Sequence, residues 1–190
     1  MISAILLAAG ESKRVPSENK LIKKFKGKPL INHILQSLIK SKVNKIIIML
    51  GHEHTKIKQL ILKSKKISLV INKNYKKGMS TSIKLGLTNI TKNNKGFMIV
   101  QSDMPFIRSS HINKIHTSLL KKNNLVHVLR YKKRIGNPIG FNISIINKFK
   151  KIKGDIGAKY IVKKLTKNTN FIKVSTNKIF KDFNLKKDFN

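Results

Sequence analysis

The stretch Ile2-Ser3-Ala4-Ile5-Leu6-Leu7-Ala8-Ala9-Gly10-Glu11-Ser12-Lys13-Arg14 decides how this chain is read. Ile2 to Leu7 is a short, nearly continuous apolar run, which suits a strand buried on both faces better than one with a wet side. The run is short and has no basic segment before it, so a buried first strand is expected rather than a secretory leader. Ala8, Ala9 and Gly10 then let the backbone come close to a ligand, and Ser12, Arg14 and Lys20 add a hydroxyl and two positive charges within one turn of chain.

Further along, the same grammar repeats. Apolar runs at Val43–Leu50, Ile67–Ile71, Phe97–Val100, Leu125–Leu129 and Phe171–Val174 read as strands. Between them, apolar residues recur at helical spacing in Pro29–Lys40, Thr55–Lys63, Ser80–Asn89 and Ser109–Lys122. Buried strands alternating with helices imply a mostly parallel sheet with helices on both faces, a Rossmann-like α/β fold. We expect residues 1–190 to form a single domain, because the length fits one core and no linker-like or repeated segment interrupts it.

Composition narrows the function classes. There is no cysteine, which excludes disulfides and thiolate metal sites. The 42 basic residues against 7 acidic ones give a formal charge of +35. Such a charge suits a nucleic-acid or anionic-membrane binder. Yet the arginines are confined to Arg14, Arg108, Arg130 and Arg134, and the lysines are spread along the whole chain. Nucleic-acid readers favour the bidentate fork of arginine, so a Lys-, Asn- and Ile-rich codon bias explains the charge better. No specific nucleic acid and no membrane is expected as a partner. The expected location is the cytoplasm, since no apolar run approaches the length of a membrane span.

In an open α/β sheet, ligands sit beyond the carboxyl ends of the strands, which is where Leu7, Ala8, Ala9, Gly10 and Ser12 fall. Successive N–H groups in such a loop form an anion-binding concavity, and Arg14 and Lys20 can neutralise a triphosphate. The segment lacks Gly-Lys-Ser/Thr and GxGxxG, so it is neither a Walker A loop nor a dinucleotide fingerprint. Leu7-Ala8-Ala9-Gly10-Glu11-Ser12-Lys13-Arg14, followed by Asn19-Lys20-Leu21, resembles the signature of the nucleotidyltransferases that make molybdenum-cofactor dinucleotides, and of their sugar-nucleotide relatives. That family has Met-Gly after the arginine where this chain has Val15-Pro16.

Chemistry with a magnesium nucleotide needs hard oxygen ligands, and the chain offers only Glu11, Glu18, Glu53, Asp103, Asp155, Asp182 and Asp188. Asp103 is best placed, separated by two residues from the fourth apolar run and ahead of a turn at Pro105. Gln101-Ser102-Asp103-Met104-Pro105 resembles the family's Asp-Met-Pro motif, which implies that Asp103 binds the metal. Asp182-Phe183-Asn184 resembles the closing Asp/Asn-x-Asp/Asn segment, which puts Asn184 at the second ligand position; the Thr-Pro-Glu stretch that follows in the family is replaced by Leu185-Lys186-Lys187.

Gly78-Met79-Ser80-Thr81-Ser82 precedes a helical pattern, with Ser80 as the expected N-cap and the helix start open to an anion. This string resembles the loop beside the nucleotide in the molybdopterin cytidylyltransferase branch, implying roles for Gly78, Ser80 and Ser82. Gly136-Asn137-Pro138 and Gly154-Asp155-Ile156-Gly157-Ala158-Lys159 resemble that branch's acceptor-side motifs. Asn137 and Asp155 then face the acceptor, or Asp155 simply caps a helix that it opens. His52-Glu53-His54 fits a solvated turn after the second strand better than a metal site.

The resemblance implies a fold of the nucleotide-diphospho-sugar transferase type. It also implies an Mg2+-dependent transfer of CMP from CTP to molybdopterin with release of pyrophosphate, and possible dealings with a recipient molybdoenzyme. Arg14, Lys20 and Asp103 would carry the reaction. The alternatives are a relative using GTP or a sugar-phosphate acceptor, a relative that binds nucleotide without turnover and, in another class, a non-catalytic basic RNA-binding protein.

Overall fold

The computed structural model describes residues 1–12 and 19–189. Its centre is a seven-stranded sheet. In chain order the strands and helices are β1 (Ile2–Ala8), a small hairpin of β2 (Lys24–Phe25) and β3 (Lys28–Pro29), α1 (Leu30–Ile39), β4 (Lys45–Leu50), α2 (His54–Leu60), β5 (Ile67–Ile71), α3 (Met79–Thr88), β6 (Gly96–Gln101), α4 (Ser109–Lys121), β7 (Val126–Tyr131), β8 (Arg134–Asn142), α5 (Ala158–Lys164) and β9 (Thr169–Lys173). A 3-10 segment, Ile143–Lys151, joins β8 to the loop before α5.

The sheet order is β5-β4-β1-β6-β8-β7-β9. All pairings are parallel except those made by β8, which runs against both β6 and β7. The fold is therefore the expected mostly parallel, doubly wound sheet, with one antiparallel strand that the apolar pattern did not reveal. Gly136 pairs with Leu129 and Ile139 with Val128, so Asn137-Pro138 form a bulge. A proline without an N–H is accommodated at such an interruption, and its presence hides the strand.

Strand alternation sorts the apolar side chains into two cores. Ala4, Leu6, Ile46 and Ile48 pack with α1, Ile57 of α2 and α4 on one face. Ile5, Ile47 and Met49 pack with Ile83 and Leu87 of α3, Phe149, and Ile161 and Val162 of α5 on the other. The last segment of the chain joins the first core through Ile179, Phe180 and Phe183. Among the described residues no helix is long and apolar enough to cross a membrane.

This topology positions a site. β4 and β5 lie to one side of β1, and β6 to the other. The order in which strands are laid down thus reverses at the β1–β6 junction, and the crevice outside the carboxyl ends of these parallel strands is where such sheets bind ligands.

Candidate functional site

A cleft of about 550 Å³ opens at that junction, lined on the β1 side by Leu7, Ala8, Ala9, Gly10 and Ser12. The lip is tightly built. Ser102 donates to the carbonyl of Leu7 at 2.6 Å, tying the end of β6 to the end of β1. On the other flank His52 N–H donates to the carbonyl of Ala9. A Cβ at Gly51 would stand 2.8 Å from Ala9 Cβ and from Tyr75 Cβ, so only glycine allows these three segments to meet. Ser12 adopts a positive φ and donates its hydroxyl to Asn19 Oδ1, while Leu21 N–H donates to the same oxygen. Arg14, together with Val15 and Pro16, lies outside the described residues.

Across the cleft floor three predicted residues converge. Lys20 Nζ lies 2.6 Å from Asp103 Oδ2 and 2.8 Å from Asn184 Oδ1. Lys20 and Asp103 are largely buried, with side chains 17% and 14% exposed. Asp103 Oδ1 is fully buried and has no hydrogen-bond partner. A desolvated, unpaired carboxylate oxygen is costly unless something cationic comes to it. Four of the seven acids in this strongly basic chain, Glu11, Asp103, Asp155 and Asp182, line this one cleft. Among the described residues no three His, Asp or Glu side chains form a metal cage. A carboxylate, an amide oxygen and an unpaired buried oxygen do suit a magnesium-type ion, which takes few protein ligands and draws the rest from phosphates and water.

The C-terminal segment reaches the cleft through a clear mechanism. Phe183 is buried and packs edge-on against Phe25 of the hairpin and Phe189, and obliquely against Phe106. Its N–H donates to the carbonyl of Asp103 at 2.9 Å. Asp188 then accepts from the N–H groups of Asn184 and Leu185. Burial works against charge on Asp188, but these N–H groups and then Lys181 outweigh it and hold its carboxyl below the usual range.

The middle loop differs from expectation. Gly78, not Ser80, is the N-cap of α3. Ser80 is buried within the first turn, and its N–H is taken by the carbonyl of Gly154 at 3.0 Å. Met79 N–H donates to Asp155 Oδ1 and Thr81 N–H to Gly78 O, so the helix start is already filled by this chain rather than open to an anion. Asp155 does not cap the helix that follows it, whose N-cap is Gly157. It caps α3, 76 residues back. Two glycines permit this crossing, since a Cβ on Gly78 would lie 2.3 Å from the Gly154 carbonyl carbon. Ser82 lines the cleft and accepts from Asn72 Nδ2. Asn137 is buried in the β8 bulge and is not among the cleft residues; its Oδ1 has no partner.

Tyr75, Met79, Gln101, Ser102 and Asp182 line the cleft without having been singled out as site residues from the sequence. All five lie within or beside motifs that were; Tyr75, Met79, Gln101 and Ser102 stand at strand ends or helix starts, and Asp182 in the irregular C-terminal segment. His52-Glu53-His54 is a turn: Glu53 opens α2 with a positive φ, and its carboxyl is held below the usual range chiefly by its bond to Lys56.

The switch-point cleft of this doubly wound sheet thus combines a small-residue loop, a lysine and a buried aspartate. The solved Rv0371c from Mycobacterium tuberculosis H37Rv superposes with a TM-score of 0.87 at 17% identity, over 99% of this chain and 94% of that one. A second structure of Rv0371c is a manganese complex, with a TM-score of 0.78 at 16% identity over 92% of this chain and 89% of that one. The 4-diphosphocytidyl-2C-methyl-D-erythritol synthase from Anaerococcus prevotii has a TM-score of 0.75 at 15% identity, over 99% and 92% of the two chains. These likenesses concern the fold. Residues 4–169 match the MobA-like NTP transferase domain, and the chain belongs to that family. The bifunctional protein GlmU of Clostridioides difficile is 28% identical over 154 residues, 80% of this chain and 31% of GlmU. The chain thus spans about a third of the length of that curated relative.

Proposed function

We propose that the chain, as one domain over residues 1–190, is a cytoplasmic nucleotidyltransferase that moves CMP from CTP to a molybdopterin-type acceptor and releases pyrophosphate. The observation that carries the reading is the meeting of Lys20, Asp103 and Asn184 on the floor of the cleft beside the Ala8-Ala9-Gly10 loop. The backbone of that loop holds the base and phosphates, with Ser12 and Ser82 at its flanks. Arg14 and Lys20 offset the triphosphate charge, and Asp155 belongs to the acceptor side; Asn137, buried in the β8 bulge, does not reach the cleft.

Asp103 and Asn184 would hold the divalent ion, Mg2+ in the cell, which supplies charge neutralisation at the phosphates when bound. An oxygen of the acceptor phosphate attacks the α-phosphorus in line. The new P–O bond forms as the α–β bridge breaks, and its electron pair leaves with pyrophosphate. The attacking phosphate is already ionised at neutral pH, so the chain needs to supply no general base. Its residues contribute positioning and charge stabilisation.

A sugar-phosphate acceptor is the second reading, favoured by the sequence match to GlmU at 28% identity. The test is pyrophosphate release with each of the four NTPs and Mg2+, with molybdopterin, with a panel of sugar phosphates, and with no acceptor. CTP turnover that needs molybdopterin and disappears in Asp103→Ala is the expected result. Turnover only with a sugar phosphate would move the acceptor, and no turnover with any pair would sink the reading.

A further inference from the structure

An asparagine is an awkward ligand for a cation. Its oxygen accepts, but its nitrogen carries two donors and repels a positive centre, and either end fits the same space. Asn184 points its oxygen at Lys20, whose ammonium also holds Asp103. Its nitrogen donates to Asp182 Oδ2 at 2.7 Å. A carboxylate only accepts, so it can hold the NH2 end and reject the oxygen. Lys20, which can only donate, takes the oxygen end and Asp182 holds the nitrogen end; with Lys20 displaced by a cation, Asp182 is the group that keeps the oxygen facing the cleft floor.

The backbone makes this geometry specific. Phe183 is buried among Phe25, Phe106 and Phe189, and its N–H is fixed to the carbonyl of Asp103. With Phe183 turned into the core, its two neighbours are left at the surface, where both line the cleft. Asp182 is exposed, and among the described residues its side chain bonds to Asn184. It touches neither Lys20 nor Asp103 within hydrogen-bond reach.

We propose that Asp182 is a positioning residue for the reaction, acting through the Asn184 amide to present an oxygen to a divalent ion beside Asp103. The inference rests on the nucleotidyltransferase reading above. Partners that orient a ligand in this way typically change metal affinity by about 10–100-fold when removed.

The experiment is Mn2+ binding to the full chain, followed by the free-ion EPR signal, which needs no turnover. Asp182→Ala is expected to weaken binding about tenfold. Asp182→Asn can donate as well as accept, so it no longer tells the two ends of the Asn184 amide apart and should also lose affinity. Asn184→Asp offers an oxygen at either end and needs no orienting partner, so adding Asp182→Ala to it should cost nothing. An equal loss from Asp182→Ala in both backgrounds would overturn the proposal by making Asp182 a direct or electrostatic ligand. Mn2+ binding that is lost in Asp103→Ala but indifferent to Asp182→Ala sinks this inference alone. Binding indifferent to Asp103→Ala sinks the metal reading of the cleft itself.

Discussion

The ammonium of Lys20 lies 2.6 Å from Asp103 Oδ2 and, at 2.8 Å from Asn184 Oδ1, bridges the two side chains proposed to hold a divalent ion. A lysine and a metal cannot share that seat. On the proposed reading the lysine would leave that seat to the ion, and the triphosphate would be its new partner. Lys20→Ala should therefore act in opposite directions on two measurements. Turnover should fall by about 10²–10³-fold, the usual cost of removing one donor to developing charge. Mn2+ affinity without nucleotide should rise, because its competitor is gone. Weaker Mn2+ binding in this variant would show that Lys20 supports the ion rather than displacing it.

Asp103→Ala separates function from stability. The carboxylate is expected to be indispensable for turnover, yet its buried Oδ1 has no partner among the described residues. Leaving a buried polar atom unpaired costs about 1–3 kcal/mol, so deleting it offsets the loss of the Lys20 ion pair. Expected is no detectable pyrophosphate release with a urea midpoint close to wild type. A large drop in midpoint would make Asp103 a structural residue first.

Much of this site was legible in the sequence because it sits where strands end. Ala8-Ala9-Gly10 and Asp103 each follow an apolar run that could only be a buried strand, and parallel neighbours bring their carboxyl ends to one edge. β8 was not legible, since Gly136-Asn137-Pro138 breaks its pattern and only pairing with β6 and β7 makes it a strand. Nor was the capping of α3 by Asp155. Ser80 has the chemistry of an N-cap, but the tertiary contact between Gly78 and Gly154 wins the position. Long-range partners of that kind leave no local signal.

That contact yields a further prediction. Gly78 has φ 102° and ψ 169°, a region essentially reserved for glycine, where another residue pays about 1–3 kcal/mol. Gly78→Ala adds a clash with the Gly154 backbone and should both lower stability and raise the KM for nucleotide. Asp155→Ser is the milder companion. It keeps an oxygen for Met79 N–H and removes the charge, so an unchanged acceptor KM would assign Asp155 to capping alone, and a raised one to the acceptor side.

Acid should destabilise the fold through His127. Its ring is fully buried, with Nε2 2.9 Å from the carbonyl of Asn124 and Nδ1 2.7 Å from Ser118 Oγ. The carbonyl can only accept, so Nε2 carries the proton and Nδ1 accepts from Ser118, which in turn accepts from Asn170. Burial pushes the pKa of His127 below its usual value, against a smaller opposing pull from Asn124. The unfolded chain therefore takes up a proton near pH 6.5 that the folded chain refuses. Stability should be level above that pH and decline below it, by at most about 1.4 kcal/mol per pH unit from this group. His116 is lowered by burial as well and should add to the slope. Urea midpoints at pH 7.5 and 5.5 test this on about the scale of the unperturbed histidine pKa. His127→Gln, which cannot titrate, should reduce the difference between them. An undiminished difference would place the acid sensitivity elsewhere, in the self-repulsion of a chain carrying +35 charges.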